Sequence, residues 1–243
     1  MLVLKRLFGR CNRALSSWTT IKLIASLLLM VWILSCESNP QSTPERISKR
    51  KNNSLPDESQ ALVQQLYSDS TYLFGNSNLT IQNGFPRGGI IDREGTIGYT
   101  DYSGKKYAFG LFWTRIVNEN NSPLKFKIEF HDEPTSLIFP FDAHIRLYVL
   151  PDTMTIEKLA QFNFGVDGIK SFLDTHFNQI TNLDRVLASN EASFFNIILL
   201  FDTPNNDAVR SEMIIKEHDL YYKVRVSPYG EIMIPCGKVE FLD

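Results

Sequence analysis

Apolar and polar side chains alternate in several runs from about residue 95 onward. In KKYAFGLFWTRIVN, Tyr107, Phe109, Leu111 and Trp113 occupy every second position, the period of a strand with a core face. Phe112 and Ile116 lie on the other face, so that face is partly covered too. NENNSP, residues 118–123, is a turn signal. LKFKIEFHD then sets Phe126, Ile128 and Phe130 against Lys125, Lys127 and Glu129. Two such runs across a short turn predict a β-hairpin. HIRLYVL alternates again, with Ile145, Leu147 and Val149 on one side and His144, Arg146 and Tyr148 on the other, until Pro151 stops it.

The period then changes. TIEKLAQFNF and GIKSFLDTHFNQI carry apolar residues three and four apart, among them Ile169, Phe172, Leu173, Phe177 and Ile180, which predicts short helical pieces separated at Gly165 and Gly168. ASFFNIILLFDT reads as a strand covered on both faces, and RSEMIIKEHDLYYKVRVS and EIMIPCGKVEFLD supply the rest. Six to eight strands with turns between them predict a mainly β fold, an antiparallel β-sandwich of immunoglobulin-like kind with a short helical insertion around 155–180. The Cys–Trp–Cys pattern of true immunoglobulin domains is absent. Residues 60–94 are less patterned: QALVQQLYS suits a short helix and NGFPRGGIIDREG a glycine-rich loop or hairpin.

The most apolar stretch is elsewhere, at Leu23 to Leu34. As a helix it spans roughly 18 Å, short of the about 30 Å hydrocarbon core of a bilayer. Basic residues precede it (Lys5, Arg6, Arg10, Arg13, Lys22) and Ser35-Cys36 follow it, which is the order of a secretory signal. An uncleaved signal anchor is the alternative. Ile33-Leu34-Ser35-Cys36 resembles the lipobox of bacterial lipoproteins. That resemblance implies diacylglycerol on the Cys36 thiol and cleavage before it. Residues 1–35 are then a lipoprotein signal peptide and residues 60–243 a single sandwich domain. Between them, ESNPQSTPERISKRKNNSLPDES has few apolar groups to bury. Residues 36–59 read as a flexible tether, of roughly 25 Å if it behaves as a coil.

Removing the leader changes the charge and cysteine pictures. The whole chain carries -2, but residues 36–243 hold 20 basic against 27 acidic groups, a balance of -7. That excludes the basic face on which nucleic-acid binding depends. Of Cys11, Cys36 and Cys236, only Cys236 remains as a free thiol. The domain therefore has no internal disulfide and depends on its core. Cys236 sits in a strand-like run and is expected to be buried and inert.

Catalytic signatures are missing. The chain has no Walker A loop, no GxSxG elbow and no HExxH helix. His131, Asp132 and Glu133, with His144 beyond, are the best metal-like group. Adjacent strand residues alternate in direction, however, and a polar strand end explains them. Asp92, Glu94, Asp101 and Asp142 are carboxylates of the kind glycoside hydrolysis needs in pairs, but 27 acidic residues always offer candidates. Neither cofactor nor metal is expected. Tyr99, Tyr102 and Tyr107 cluster in GYTDYSGKKY and are the candidate ligand contacts, since sugars stack on aromatic rings. Packing at a sheet edge is their other reading.

Sandwich and anchor together resemble small envelope lipoproteins of the Bacteroidetes type. The resemblance implies a membrane partner through the lipid, with the outer membrane favoured by Glu37 after the cysteine. It also implies a noncatalytic module that binds protein or glycan. Two alternatives stay open: a small envelope hydrolase acting on glycan or another polymer, and a self-assembling structural subunit.

Overall fold

Buried β-branched and aromatic residues at two-residue spacing make strands the dominant element. The computed structural model describes residues 46–48, 62–90, 98–137, 143–151, 154–202, 209–227 and 230–242, all within one compact unit, Ser42–Asp243. The expected signal peptide, Cys36 and most of the expected tether lie outside the described residues. Arg46–Ser48 is described: as β1 it pairs antiparallel with Ser70–Tyr72.

Twelve more strands follow: β2 (Leu66–Phe74), β3 (Ser77–Gly84), β4 (Tyr99–Thr100), β5 (Lys106–Asn118), β6 (Leu124–Phe130), β7 (Thr135–Leu137), β8 (Ala143–Val149), β9 (Thr181–Leu187), β10 (Ala192–Phe201), β11 (Val209–Lys216), β12 (Asp219–Val226) and β13 (Gly230–Phe241). One antiparallel sheet runs β1-β2-β3-β5-β10-β8-β7, with β4 on β5, and the other runs β11-β12-β13-β6-β9. The mainly β sandwich is therefore present, with more strands than the pattern suggested. The helical insertion also stands: two 3₁₀ turns, Ile156–Lys158 and Phe162–Gly165, precede helix α1 (Ile169–His176).

Two expectations need correction. β5 and β6 do not form a hairpin. β5 pairs with β3 and β10, whereas β6 pairs with β13 and β9 in the other sheet. The connection is a corner, locked by asparagines. The Asn118 side chain donates to the carbonyls of Ser122, Leu187 and Ala188 and accepts from the Asn120 backbone and side chain. The crossings also nest, because β5 pairs with β10 while β6 pairs with β9. The second correction concerns QALVQQLYS. Helical residues stop at Gln64, and Leu66 already opens β2.

Two cores flank the first sheet. Between the sheets, Phe112 and Ile116 of β5 and Phe195, Ile197 and Leu199 of β10 meet Phe126 and Ile128 of β6 and Met213 and Val224 beyond. On the opposite face, Leu111, Trp113, Phe194, Ile198 and Leu200 are covered by Leu159, Phe164, Ile169, Leu173 and Phe177 of the insertion. The insertion is thus a third layer, which explains why β5 and β10 are apolar on both faces. Each such side chain contributes about 1.5–3 kcal/mol relative to exposure. Cys236 is buried, donates weakly to the Leu220 carbonyl, and has its pKa pushed by burial up to about 12. It is buried, as expected, and its raised pKa disfavours the reactive thiolate. Among the described residues, no helix is long and apolar enough to cross a membrane.

Candidate functional site

Phe177, just beyond α1, brings the three candidate tyrosines together. Its ring centroid lies 5.7 Å from that of Tyr99, 6.2 Å from Tyr102 and 5.5 Å from Tyr107. Their exposures separate their roles. Tyr99 and Tyr107 are buried, at 1% and 8%, whereas Tyr102 is 80% exposed. Tyr99 donates to Asp174, and burial with that bond raises its pKa far above the ordinary tyrosine value. Tyr99 and Tyr107 therefore form the floor, and Tyr102 is the ring offered to solvent.

The loop that carries Tyr102 is tied together by hydrogen bonds to Asp101. Asp101 Oδ1 accepts from Ser103 N (2.8 Å), Ser103 Oγ (2.7 Å) and Lys105 N (2.9 Å), and its Oδ2 accepts from Tyr107 Oη (3.3 Å). Partial burial works against the Asp101 carboxylate, but these bonds outweigh it and hold its pKa below the usual value. Gly104, at φ +85°, supplies the left-handed residue that closes the turn. Asn178 donates to Tyr102 Oη at 3.1 Å and steadies the ring.

Beside this patch, Lys105, Tyr107, Pro134, His144, Arg146 and Asp202 line a concavity of about 200 Å³. β8 positions His144 and Arg146 on the face opposite Ile145 and Leu147, as the alternation requires. Asp202 ends β10. Its Oδ1 accepts from His144 N (2.7 Å), and its Oδ2 accepts from Lys105 Nζ (2.9 Å) and lies 3.2 Å from His144 Nδ1. Arg146 stacks over Phe177, with Cζ 4.5 Å from the ring centroid. Its Nη1 donates to the carbonyls of Asp132 (2.6 Å) and Phe177 (3.1 Å).

Desolvation opposes the Asp202 carboxylate, yet the bonds from His144 and Lys105 prevail and lower its pKa. A depressed carboxylate adds stability above its unfolded pKa and loses it as pH falls through the folded value. Asp202→Asn is expected to cost about 1–3 kcal/mol at pH 7, with the gap to wild type closing in acid. Urea midpoints measured from pH 7 down to pH 3 test this. Parallel profiles for the two proteins would show that the pair contributes nothing.

The metal-like group does not converge. His131, Asp132 and Glu133 are exposed. His131 lines a separate, shallow concavity of about 600 Å³ on the outer face of the second sheet, while His144 lines the smaller one. Lys127 pairs with Glu129 and Lys125 with Asp184 on that outer face, which neutralises much of its charge. Among the described residues, no three His, Cys, Asp or Glu side chains are placed to hold a metal ion. Asp92, Glu94 and Asp142 lie outside the described residues. His176 stacks on Phe172, and His218 packs against Phe74 and Phe241.

Lys105, Arg146, Phe177 and Asp202 had no signal as a set, because they are far apart in the chain. The nearest hint is the lone acid that follows the apolar IILLF of β10. No family model matches the chain, and no curated protein matches it.

Proposed function

We propose that this protein is a lipid-anchored component of the cell envelope, on the outer membrane, whose sandwich is a noncatalytic binding module for glycan or protein. The anchor is supported by the basic flank, the short apolar stretch and the lipobox-like join at Cys36. Binding is carried by one observation: a solvent-facing Tyr102 packs against the same Phe177 ring as Arg146, which lines a concavity rich in cationic side chains. Exposed aromatics fixed beside polar groups are the usual makings of a recognition surface. The reading includes an immunoglobulin-like sandwich, supported by two facing antiparallel sheets and repeated crossings between them. The nested pairing of β5 with β10 and β6 with β9 nevertheless differs from the ABED and CFG order of that fold.

Cells fed a radiolabelled fatty acid test the anchor. Label on the wild-type chain is expected to disappear in Cys36→Ala, and equal incorporation would sink the anchor. Binding is tested with the detergent-solubilised full-length protein on a glycan array and in a pull-down. Silence in both would remove the binding module.

The second reading, a small envelope hydrolase, rests on the His144–Asp202 pair. A carboxylate that orients a histidine is the arrangement of a general base. Turnover of an envelope polymer that vanishes in His144→Gln would replace the binding module with an enzyme.

A further inference from the structure

Charge in the small concavity does not cancel. Its lining holds Lys105, His144 and Arg146 against one carboxylate, Asp202. Lys105 and Asp202 form an ion pair, so those two charges offset each other. Arg146 is different. Its Nη1 donates to two uncharged backbone carbonyls, and its guanidinium also bonds the uncharged Tyr148 hydroxyl. Among the described residues it forms no ion pair with a carboxylate. Leaving His144 aside, the lining carries one net positive charge, on a guanidinium whose fork geometry suits a carboxylate.

Shape narrows the ligand further. The concavity, about 200 Å³, is smaller than the roughly 300–1,000 Å³ of drug-sized sites and suits a single ring. Tyr102 is outside its lining but shares the Phe177 ring with Arg146, its centroid 6.2 Å and the Arg146 Cζ 4.5 Å from that ring's centroid. The Asp101 turn and the Asn178 bond fix Tyr102 before any ligand arrives, so little side-chain freedom remains to be lost on binding. A flat exposed ring takes the C–H face of a pyranose, whereas an acidic peptide side chain has no such face to offer.

We infer that this site binds a carboxylate-bearing sugar, a hexuronate unit of an acidic polysaccharide, with the carboxylate on Arg146 and the pyranose ring against Tyr102. The inference rests on the binding-module reading and names its ligand class. Lys105 stays paired with Asp202. The buried Tyr107 and Phe177 form the floor under the sugar and hold Arg146 in place.

The test uses the detergent-solubilised full-length protein and isothermal titration with three probes. These are a hexuronate oligosaccharide, the same oligosaccharide after reduction of its carboxyl groups to alcohols, and a polyglutamate peptide of equal charge. The acidic oligosaccharide is expected to bind at least tenfold more tightly than the other two. Tyr102→Ala, at an exposed position, is expected to weaken it about tenfold with the melting temperature unchanged, and Tyr102→Phe, which keeps the ring and loses only the Asn178 bond, is expected to recover most of that loss. Arg146→Lys keeps the charge but loses the fork, and is expected to reduce the preference over the reduced oligosaccharide. Equal affinity for acidic and reduced oligosaccharides, still sensitive to Tyr102→Ala, overturns the carboxylate and leaves the binding module standing. Tighter binding of polyglutamate overturns the sugar in favour of an acidic protein partner. No binding of any probe overturns the inference, while the array and pull-down judge the binding module separately.

Discussion

Asn83→Ala is expected to cost about 3–5 kcal/mol of folding stability, far more than the size of the side chain suggests. Asn83 is 2% exposed on β3, and its amide has partners at every position. Nδ2 donates to Ser68 Oγ and to the Met213 carbonyl, both at 3.1 Å. Oδ1 accepts from Thr114 Oγ1 at 3.0 Å and from Met213 N at 2.8 Å. Met213 lies on β11, an edge strand of the other sheet. The amide therefore acts as a short piece of neighbouring strand, gripping both backbone groups of one residue across the sandwich. Truncation leaves a buried N–H and a buried C=O unpaired, each at about 1–3 kcal/mol, besides the Thr114 and Ser68 hydroxyls. It also uncovers part of the β11 edge, which is then open to pairing with another chain.

Two further variants separate this cause from simple loss of volume. Asn83→Leu fills the space but makes no bonds, and is expected to be at least as unstable as Asn83→Ala. Asn83→Asp keeps the acceptor and loses the donors. Burial raises the pKa of that carboxyl in the folded state, so the folded protein binds the proton more tightly and the deficit shrinks as pH falls. Urea denaturation at two pH values measures all three. A loss below about 1 kcal/mol for Asn83→Ala would mean that water or a local shift replaces the amide.

The same residue shows where sequence reading succeeded and where it stopped. Strands with one clean apolar face were legible: Phe126, Ile128 and Phe130 of β6 and Ile145, Leu147 and Val149 of β8 are all buried as their spacing required. β2 and β3 were not legible, because their buried positions include Ser70, Thr71, Thr80 and Asn83. Thr71 Oγ1 and Thr80 Oγ1 bond each other at 2.9 Å and Asn83 bonds Ser68, Thr114 and Met213, and polar residues buried in this way leave no hydrophobic period. Alternation also assigns a face without assigning a partner. For that reason, β5 and β6 were placed beside each other when the asparagine corner sends them to different sheets. At the site, Tyr99, Tyr102 and Tyr107 could be grouped because they are close in sequence. Phe177, Arg146 and Asp202 reach them only through the third layer and the ends of β8 and β10.

Gly84→Ala is expected to destabilise the protein by about 3 kcal/mol through a single methyl group, at the upper end of overpacking costs. A Cβ at residue 84 would lie 1.8 Å from Trp113 Nε1, 2.0 Å from Cε2 and 2.5 Å from Cδ1. The indole has no room to retreat: Trp113 is 0% exposed, with Phe194 at 5.8 Å between ring centroids. Among the described residues Nε1 has no hydrogen-bond partner, so packing is what positions the indole there. That permits a coupling test. Trp113→Leu alone removes a large buried ring and is expected to cost about 3 kcal/mol. In combination with Gly84→Ala it also removes the clash, and the new methyl group fills part of the vacated space. The double variant is therefore expected to be about 2 kcal/mol more stable than the sum of the two single losses predicts. Additive losses would show that the backbone at Gly84 moves aside and that its close approach to the indole does not constrain the fold.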